Sequence, residues 1–425
     1  MPIAVLTYKE PGSVLPLRLP VSKSIASRLM LMSALGGYDP QQHTSFDSAQ
    51  SCTDLEVMYR AARFIHSIPA DGKIDLDIQD SGTAKRLLTA VFASIDGVRA
   101  VLHMSERLAE RPLTPLVEML SFYGAGTVEC KDNLLLIKGK RPVGSKQEIT
   151  VSPSVSSQVF TAIMLSGALS EQGISIALES TQSSSAYIEM TASLMRDCGV
   201  DAHFDKQNLK IQVSPGHFVL PSHSLSEADW SAASYFYLYS LLSEREVYIT
   251  GLRCPRQSRQ GDAACASLFR SFGIDTRVDE CGVRLLPNAL PKLKRLDVSL
   301  ADTPDLLPAL AVACAMTQTP FCFSGVSHLR HKESDRLEAC RAEIAKYGIT
   351  LTIASDKISM ETVSKPHPPV DIIKTYSDHR IAMAFAQTAI YFPGVRIENP
   401  ECVAKSFPDF WKQMNLSGVK IDNMF

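Results

Sequence analysis

The chain has 425 residues, 45% of them hydrophobic and 21% charged, with a formal net charge of −2. That length suggests two or three domains, and that balance suits a globular protein with sizeable cores. It excludes the polycation signature of a nucleic-acid or acidic-membrane binder. Ten cysteines occur with no CxxC pair and ten histidines with no HExxH, so neither a zinc site nor a disulfide framework is expected. The start, MPIAVLTYKEPGSVLP, lacks the apolar run of a signal peptide. The longest apolar stretch, LLPALAVACAM at 306–316, is too short to span a bilayer. The expectation is a cytoplasmic monomer with no metal or cofactor and no membrane or nucleic-acid partner.

In chain order, two kinds of helix alternate. The first kind is apolar nearly all round: SIASRLMLMSAL, GTAKRLLTAVFA, SSQVFTAIMLSGAL, SAASYFYLYSLL, DLLPALAVACAM and HRIAMAFAQTAI. Such helices belong inside a core. From the second onward they start at Gly82, Ser156, Trp230, Pro304 and Asp378, each 74 apart, whereas Lys23 to Gly82 is only 59. The second kind is amphipathic and ends on glycine: MLSFYGA, LMRDCGV, LFRSFGI and EIAKYGI, then FWKQMNLSGV. Gly124, Gly199, Gly273 and Gly348 are separated by 75, 74 and 75 residues, and Gly418 follows 70 later. Glycine just past a helix end is the expected left-handed stop. Short β-rich runs flank the helices, such as EITVS, ISIALES, EVYITGL and VRIENP, and hairpins such as VDAHFDKQNLKIQV and ITLTIASDKISM follow the glycines. One module, β, buried helix, β, amphipathic helix, β, β, is therefore copied six times, the first copy shortened. Two α/β globules of three modules each are expected.

Each buried helix opens with polar residues: Lys23 and Ser24, Asp80 to Thr83, Ser154 to Gln158, Glu227 to Ser231, Asp302 to Asp305, Asp378 to Arg380. Capping explains a lone Ser or Asp, but a core helix needs no Lys, Arg, Gln or His in its first turns. Helix N-termini also attract anions. If the six starts converge where the globules meet, they form a cleft rich in anion donors. No GxxxxGK[ST] occurs, and YGAG is a lone GxG, so neither a P-loop nor a dinucleotide fingerprint is present. HKESDRLEAC, at 331–340, adds charges to this picture. Leu337, Cys340, Ile344 and Tyr347 recur at helical spacing, and stepping back from them reaches Arg336, Lys332 and Glu333. The three charges are expected to prolong a buried stripe at a helix start, which favours a site over a solvated end.

Nine segments then resemble one family in register along nearly the whole chain. LPVSKSIASR resembles LPGSKS with an arginine four residues on, DSGTAKR resembles NAGTAMRP, and ERPL matches ERP. SVSSQ is identical to a family motif, and SAYIEMT follows where SKPYIDIT should stand. TPDLLPALA resembles IPDAAMTIA, HKESDRL resembles VKETDRL, YSDHRIAMAF resembles YNDHRMAM, and AKSFPDF resembles AKTFPDY. The chain is similar to the EPSP synthases, the enolpyruvyl transferases of the shikimate pathway. The sister family acting on a UDP-sugar differs by its KNA start and reactive-cysteine loop, neither of which is seen.

The resemblance implies two inside-out α/β domains, residues 1–18 with 229–425 and residues 19–228, with the active site in the interdomain cleft. It implies transfer of the enolpyruvyl group of phosphoenolpyruvate to the 5-hydroxyl of shikimate 3-phosphate, releasing phosphate. Lys23, Gly82, Arg111, Gln158, Arg336, Arg380 and Lys405 would then hold phosphoenolpyruvate. Lys23, Ser24, Arg28, Ser156, Ser157, Gln158, Ser184, Asp305, His328 and Lys332 would hold shikimate 3-phosphate. Asp305 would take the hydroxyl proton, Glu333 and Lys405 would serve the methylene carbon, and Lys23 would join the catalytic set. The chain departs from the family at Val21, Asp80, Leu87 and His328, where Gly, Asn, Pro and Asn are expected. Asp80 is expected to cap its helix and pair with Lys85 or Arg86. A second reading stays open at this point: a catalytically weak relative that binds phosphorylated acids as a sensor or scaffold.

Overall fold

The computed structural model describes residues 2–12, 16–41, 51–152, 155–180, 184–288 and 293–424. The chain divides into two compact units, Met1–Ser22 with Glu227–Phe425, and Lys23–Ser226. In the first unit the two passing segments are tied together: Ser22 N donates to Glu227 O at 2.7 Å, Asp229 N donates to Pro20 O at 2.9 Å, and Val21 bridges Ala228.

The repeated module is plain in four sheets. Lys73–Gln79, Arg99–Met104, Leu134–Lys138 and Thr127–Lys131 lie side by side in that order, the first pair parallel and the rest antiparallel. Ser145–Val151, Ile174–Leu178, Lys210–Val213 and Ala202–Asp205 repeat it. In the other unit, Leu296–Ser299, Phe321–Ser324, Lys357–Met360 and Thr352–Ile353 do so again. A parallel pair needs a crossover, and a buried helix supplies each one. Pro16–Arg18 is the parallel edge strand on Val247–Thr250, so the segment before Lys23 completes the sheet of the Trp230–Ser243 module.

The end modules depart from the pattern. The first has the helices Lys23–Leu35 and Thr53–His66 and no strand among its described residues. The last forms a three-stranded antiparallel sheet in which Ile3–Tyr8 sits between Val395–Glu398 and Val419–Met424. Its parallel strand is reduced to one bridge, Ile373 to Ile397.

The apolar helices are cores in their own right. Every residue from Leu307 to Met316 is buried, as is every residue from Ala84 to Ala93. Each large side chain so enclosed contributes about 1.5–3 kcal/mol. Lys85 and Arg86 lie within that second stretch, so their charges need partners inside the protein. The five glycines past the amphipathic helices all have φ between 72° and 89° or at 91°, the left-handed region that stops a helix. Among the described residues no helix is long and apolar enough to cross a membrane.

Candidate active site

In the unit Lys23–Ser226, the helix starts gather cations. Lys23 Nζ donates to Asp54 Oδ2 of Thr53–His66 at 2.8 Å. Arg28 is buried, and its guanidinium donates to Thr191 Oγ1 at 2.8 Å, Thr161 Oγ1 at 2.9 Å and Ser24 O at 2.7 Å. Burial pulls its pKa down to about 10, with Tyr187 opposing. Ser156 caps Ser157–Leu169, its Oγ accepting from Gln158 N at 3.4 Å. Gln158 joins two helix starts, accepting from Arg86 at 2.9 Å and donating to Thr83 Oγ1 at 3.2 Å. A Cβ on Gly82 would stand 2.8 Å from Arg111 Nη1 and in ordinary contact, 3.6 Å, with Arg86 Nη1, so any larger residue would push the Arg111 guanidinium aside. Burial and the neighbouring Arg111 hold Arg86 down to about 10. Two guanidinium groups over a helix N-terminus are an arrangement that an anion would stabilise. Ser184 stands at the N-cap position of Ser185–Asp197 with φ 63°, yet its side chain makes no capping bond.

In the other unit, Arg336 is the hub. It is 1% exposed and donates to Asp378 Oδ2 at 2.9 Å, Asp305 Oδ1 at 2.7 Å and Glu333 Oε2 at 2.7 Å. Arg380 donates to the second oxygen of Asp305 at 2.7 Å. Asp378 also caps His379–Ala386 through Arg380 N at 3.0 Å and accepts from Ser334 Oγ at 3.0 Å. Burial works to raise the pKa of Asp305, but Arg380, Arg336 and Lys332 outweigh it and hold the carboxyl well below its ordinary range. Burial pulls the Lys332 ammonium down, with Asp305 opposing. Burial and Lys332 lower His328 to about 4, and neither ring nitrogen has a partner among the described residues. The loop before Asp378 holds Tyr376 and Ser377 both at φ 55°, a conformation costing about 1–3 kcal/mol each. Buried Glu343 pins it, accepting from Tyr376 Oη at 2.7 Å and Lys374 N at 2.9 Å. Lys405 ends the turn Pro400–Lys405, where burial lifts the Cys402 thiol to about 12, with Asp378 adding to the rise and Lys405 opposing it.

Two expectations are corrected. Lys332 and Glu333 do not prolong the helix: it begins at Arg336, because Asp335 caps it through Leu337 N and Glu338 N at 3.1 and 3.2 Å. The Ser327–His331 turn precedes it, so Glu333 meets Arg336 by a bend of the chain. Asp80 is not the cap of Gly82–Ala93 either. Ser81 is, accepting from Ala84 N at 3.3 Å, while Asp80 accepts from Ser105 Oγ at 2.9 Å. Lys85 and Arg86 turn elsewhere, to backbone carbonyls and to Gln158. Because an amide oxygen can accept the same Ser105 bond, Asp80→Asn is expected to change the KM for phosphoenolpyruvate by less than about tenfold. A drop of about a hundredfold in steady-state kinetics would place the carboxylate against the substrate. Ser154, the first residue of SVSSQ, lies outside the described residues.

Several residues of these clusters carry no local signal in the sequence: Asp54, Thr161 and Thr191 as partners of Lys23 and Arg28, and Asp262. Asp262 is buried, bonded to Ser231 Oγ, and its second oxygen has no partner among the described residues. Burial and Asp305 raise it to about 7, with Arg380 opposing. An unfolded aspartate ionises near pH 4, so between about pH 4 and 7 the folded protein holds the extra proton and this group's contribution falls as pH rises. Relative to Asp262→Asn, the wild type is expected to lose up to about 4 kcal/mol across that window, measured by denaturant unfolding. A difference independent of pH would show that Asp262 ionises normally.

Comparisons with known proteins identify the family. The family model for EPSP synthase (3-phosphoshikimate 1-carboxyvinyltransferase) matches residues 48–414. A 3-phosphoshikimate 1-carboxyvinyltransferase of Bacteroides fragilis is 37% identical over 413 residues, covering 95% of each chain. One from Hamiltonella defensa is 31% identical over 424 residues, covering 94% of this chain and 96% of its own. A solved structure of EPSP synthase from Acinetobacter baumannii aligns over 100% of this chain and 99% of its own, with TM-score 0.72 at 20% identity. With the family pattern running through both units and relatives matching end to end, the chain belongs to the EPSP synthase family.

Proposed function

We propose that this chain transfers the carboxyvinyl group of phosphoenolpyruvate to the 5-hydroxyl of shikimate 3-phosphate and releases phosphate. The observation that carries this reading is Asp305, a buried carboxylate gripped by Arg336 and Arg380, with Glu333 on the same Arg336. Both substrates are multiply anionic, so cations have to offset their mutual repulsion, and a water-poor site strengthens each contact.

Lys23, Ser24, Arg28, Ser156, Ser157, Gln158 and Ser184, with Asp305, His328 and Lys332, take shikimate 3-phosphate in this scheme. Lys23, Gly82, Arg111, Gln158, Arg336, Arg380 and Lys405 take phosphoenolpyruvate. The two compact units are then the two domains of the enzyme. Asp305 is a weak base while both guanidinium groups grip it. Phosphoenolpyruvate needs those same groups, so its arrival loosens the grip and raises the proton affinity of Asp305. Asp305 then takes the hydroxyl proton as the oxygen attacks the enol carbon, and Glu333 or Lys405 delivers a proton to the methylene carbon. The tetrahedral adduct returns that proton and expels phosphate.

The test is phosphate release on mixing the protein with both substrates, and none with either alone. Tight binding of both without phosphate release would favour a sensor or scaffold instead. The enzyme is proposed to act as a monomer in the cytoplasm, and sedimentation at twice the chain mass would overturn the first part.

A further inference from the structure

The segment that carries Arg111 is a short turn, closed by its own backbone bonds from Glu110 N to Glu106 O and from Arg111 N to Leu108 O, both at 3.2 Å. Only a single helical turn, Glu106–Ala109, precedes Arg111, and the carbonyls at such a helix end keep lone pairs for donors from outside the turn. Lys85, from the first turns of Gly82–Ala93, supplies the donors. Its ammonium donates to Leu108 O at 2.7 Å, Ala109 O at 3.2 Å and Arg111 O at 2.7 Å. The side chain is 1% exposed, and among the described residues it has no carboxylate in ion-pair reach. Burying an ammonium against neutral carbonyls alone is costly, so core filling does not explain it. The same helix thus governs Arg111 twice: Gly82 leaves room for its guanidinium, and Lys85 holds its carbonyl.

We propose that Lys85 is a positioning residue for phosphoenolpyruvate binding, its ammonium closing the 106–111 turn and so fixing the backbone from which Arg111 reaches the substrate. Lys85 itself does not touch the substrate. Burial, Arg86 and Arg111 lower its pKa to about 8, with Cys130 opposing. Losing the proton leaves two N–H groups for three carbonyls, so the support weakens just above neutral pH.

The inference rests on the role proposed for Arg111, so Arg111→Met is measured beside Lys85→Met. Lys85→Met is expected to raise the KM for phosphoenolpyruvate about tenfold or more, with kcat within about threefold and the KM for shikimate 3-phosphate within about twofold. Lys85→Gln, which keeps two N–H donors, is expected to fall between, and it decides the matter if the methionine variant does not fold. In the wild type the KM for phosphoenolpyruvate is expected to climb between about pH 7.5 and 9, and that climb should be absent from either variant. An unchanged KM for phosphoenolpyruvate in the Lys85 variants, with a large rise in Arg111→Met, would overturn the positioning role. Equal shifts of kcat and both KM values with a lower Tm would reduce Lys85 to a structural part. No effect in Arg111→Met would remove Arg111 as a ligand and the basis of this inference with it.

Discussion

Replacing Lys405 by methionine is expected to lower kcat about a hundredfold or more, the usual cost of losing an acid–base group. Lys405 closes the short turn Pro400–Lys405, and the Cys402 thiol within that turn responds to both Lys405 and Asp378. Asp378 is in turn a partner of Arg336, and Lys405 is proposed to act on the same cluster. Methionine keeps the length and the apolar stem of lysine, and the loss therefore reports on the amine. Steady-state kinetics separate the possible outcomes. A kcat within about threefold of wild type removes Lys405 from the chemistry, and a raised KM for phosphoenolpyruvate alone leaves it a ligand only.

Arg336→Met is expected to cost about 3–5 kcal/mol of stability, because it strands buried charges that one guanidinium now serves. Three carboxylates meet that group: Asp378, Asp305 and Glu333. Asp378 is 0% exposed in its side chain, so water cannot replace the lost partner. Arg336→Lys should retain more of the fold, since a charge remains. It should still lose about a hundredfold in kcat/KM, because an ammonium cannot hold carboxylates in the forked geometry of a guanidinium. Denaturant unfolding and kinetics on both variants check this. Full stability in the methionine variant would show that the cluster is not a unit, and wild-type kcat/KM in the lysine variant would remove the need for the fork.

The order of helices was legible from residue pattern alone, and the reason is that helix signals are local. Gly82–Ala93 is found where GTAKRLLTAVFA stands, and Lys23–Leu35, Ser157–Leu169 and Trp230–Ser243 differ from their segments by a residue or two. Each such helix needs only its own run of apolar residues and the stop that follows. The amphipathic helices stop at Gly124, Gly199, Gly273 and Gly348, and each has the positive φ that glycine adopts without strain. The 74-residue period likewise revealed the module, and the motifs in register revealed the family. Where turn chemistry competes over a few residues, local reading was less secure. Asp335 outbid Lys332 for the start of its helix, and Ser81 outbid Asp80, because each places a side-chain oxygen where free backbone N–H groups point.

By itself, then, the sequence determined the repeating module, the burial of its apolar helices and the candidate residues at their polar starts. Only the tertiary structure decided which of these charges meet. Lys23 finds Asp54 across 31 positions, Arg336 finds Asp378 across 42, and Arg380 finds Asp305 across 75. An ion pair requires a few ångströms in space and imposes no spacing along the chain, so its partners cannot be read before the helices are packed. The same holds for Lys85, whose three carbonyl acceptors are backbone atoms that any residue type would present.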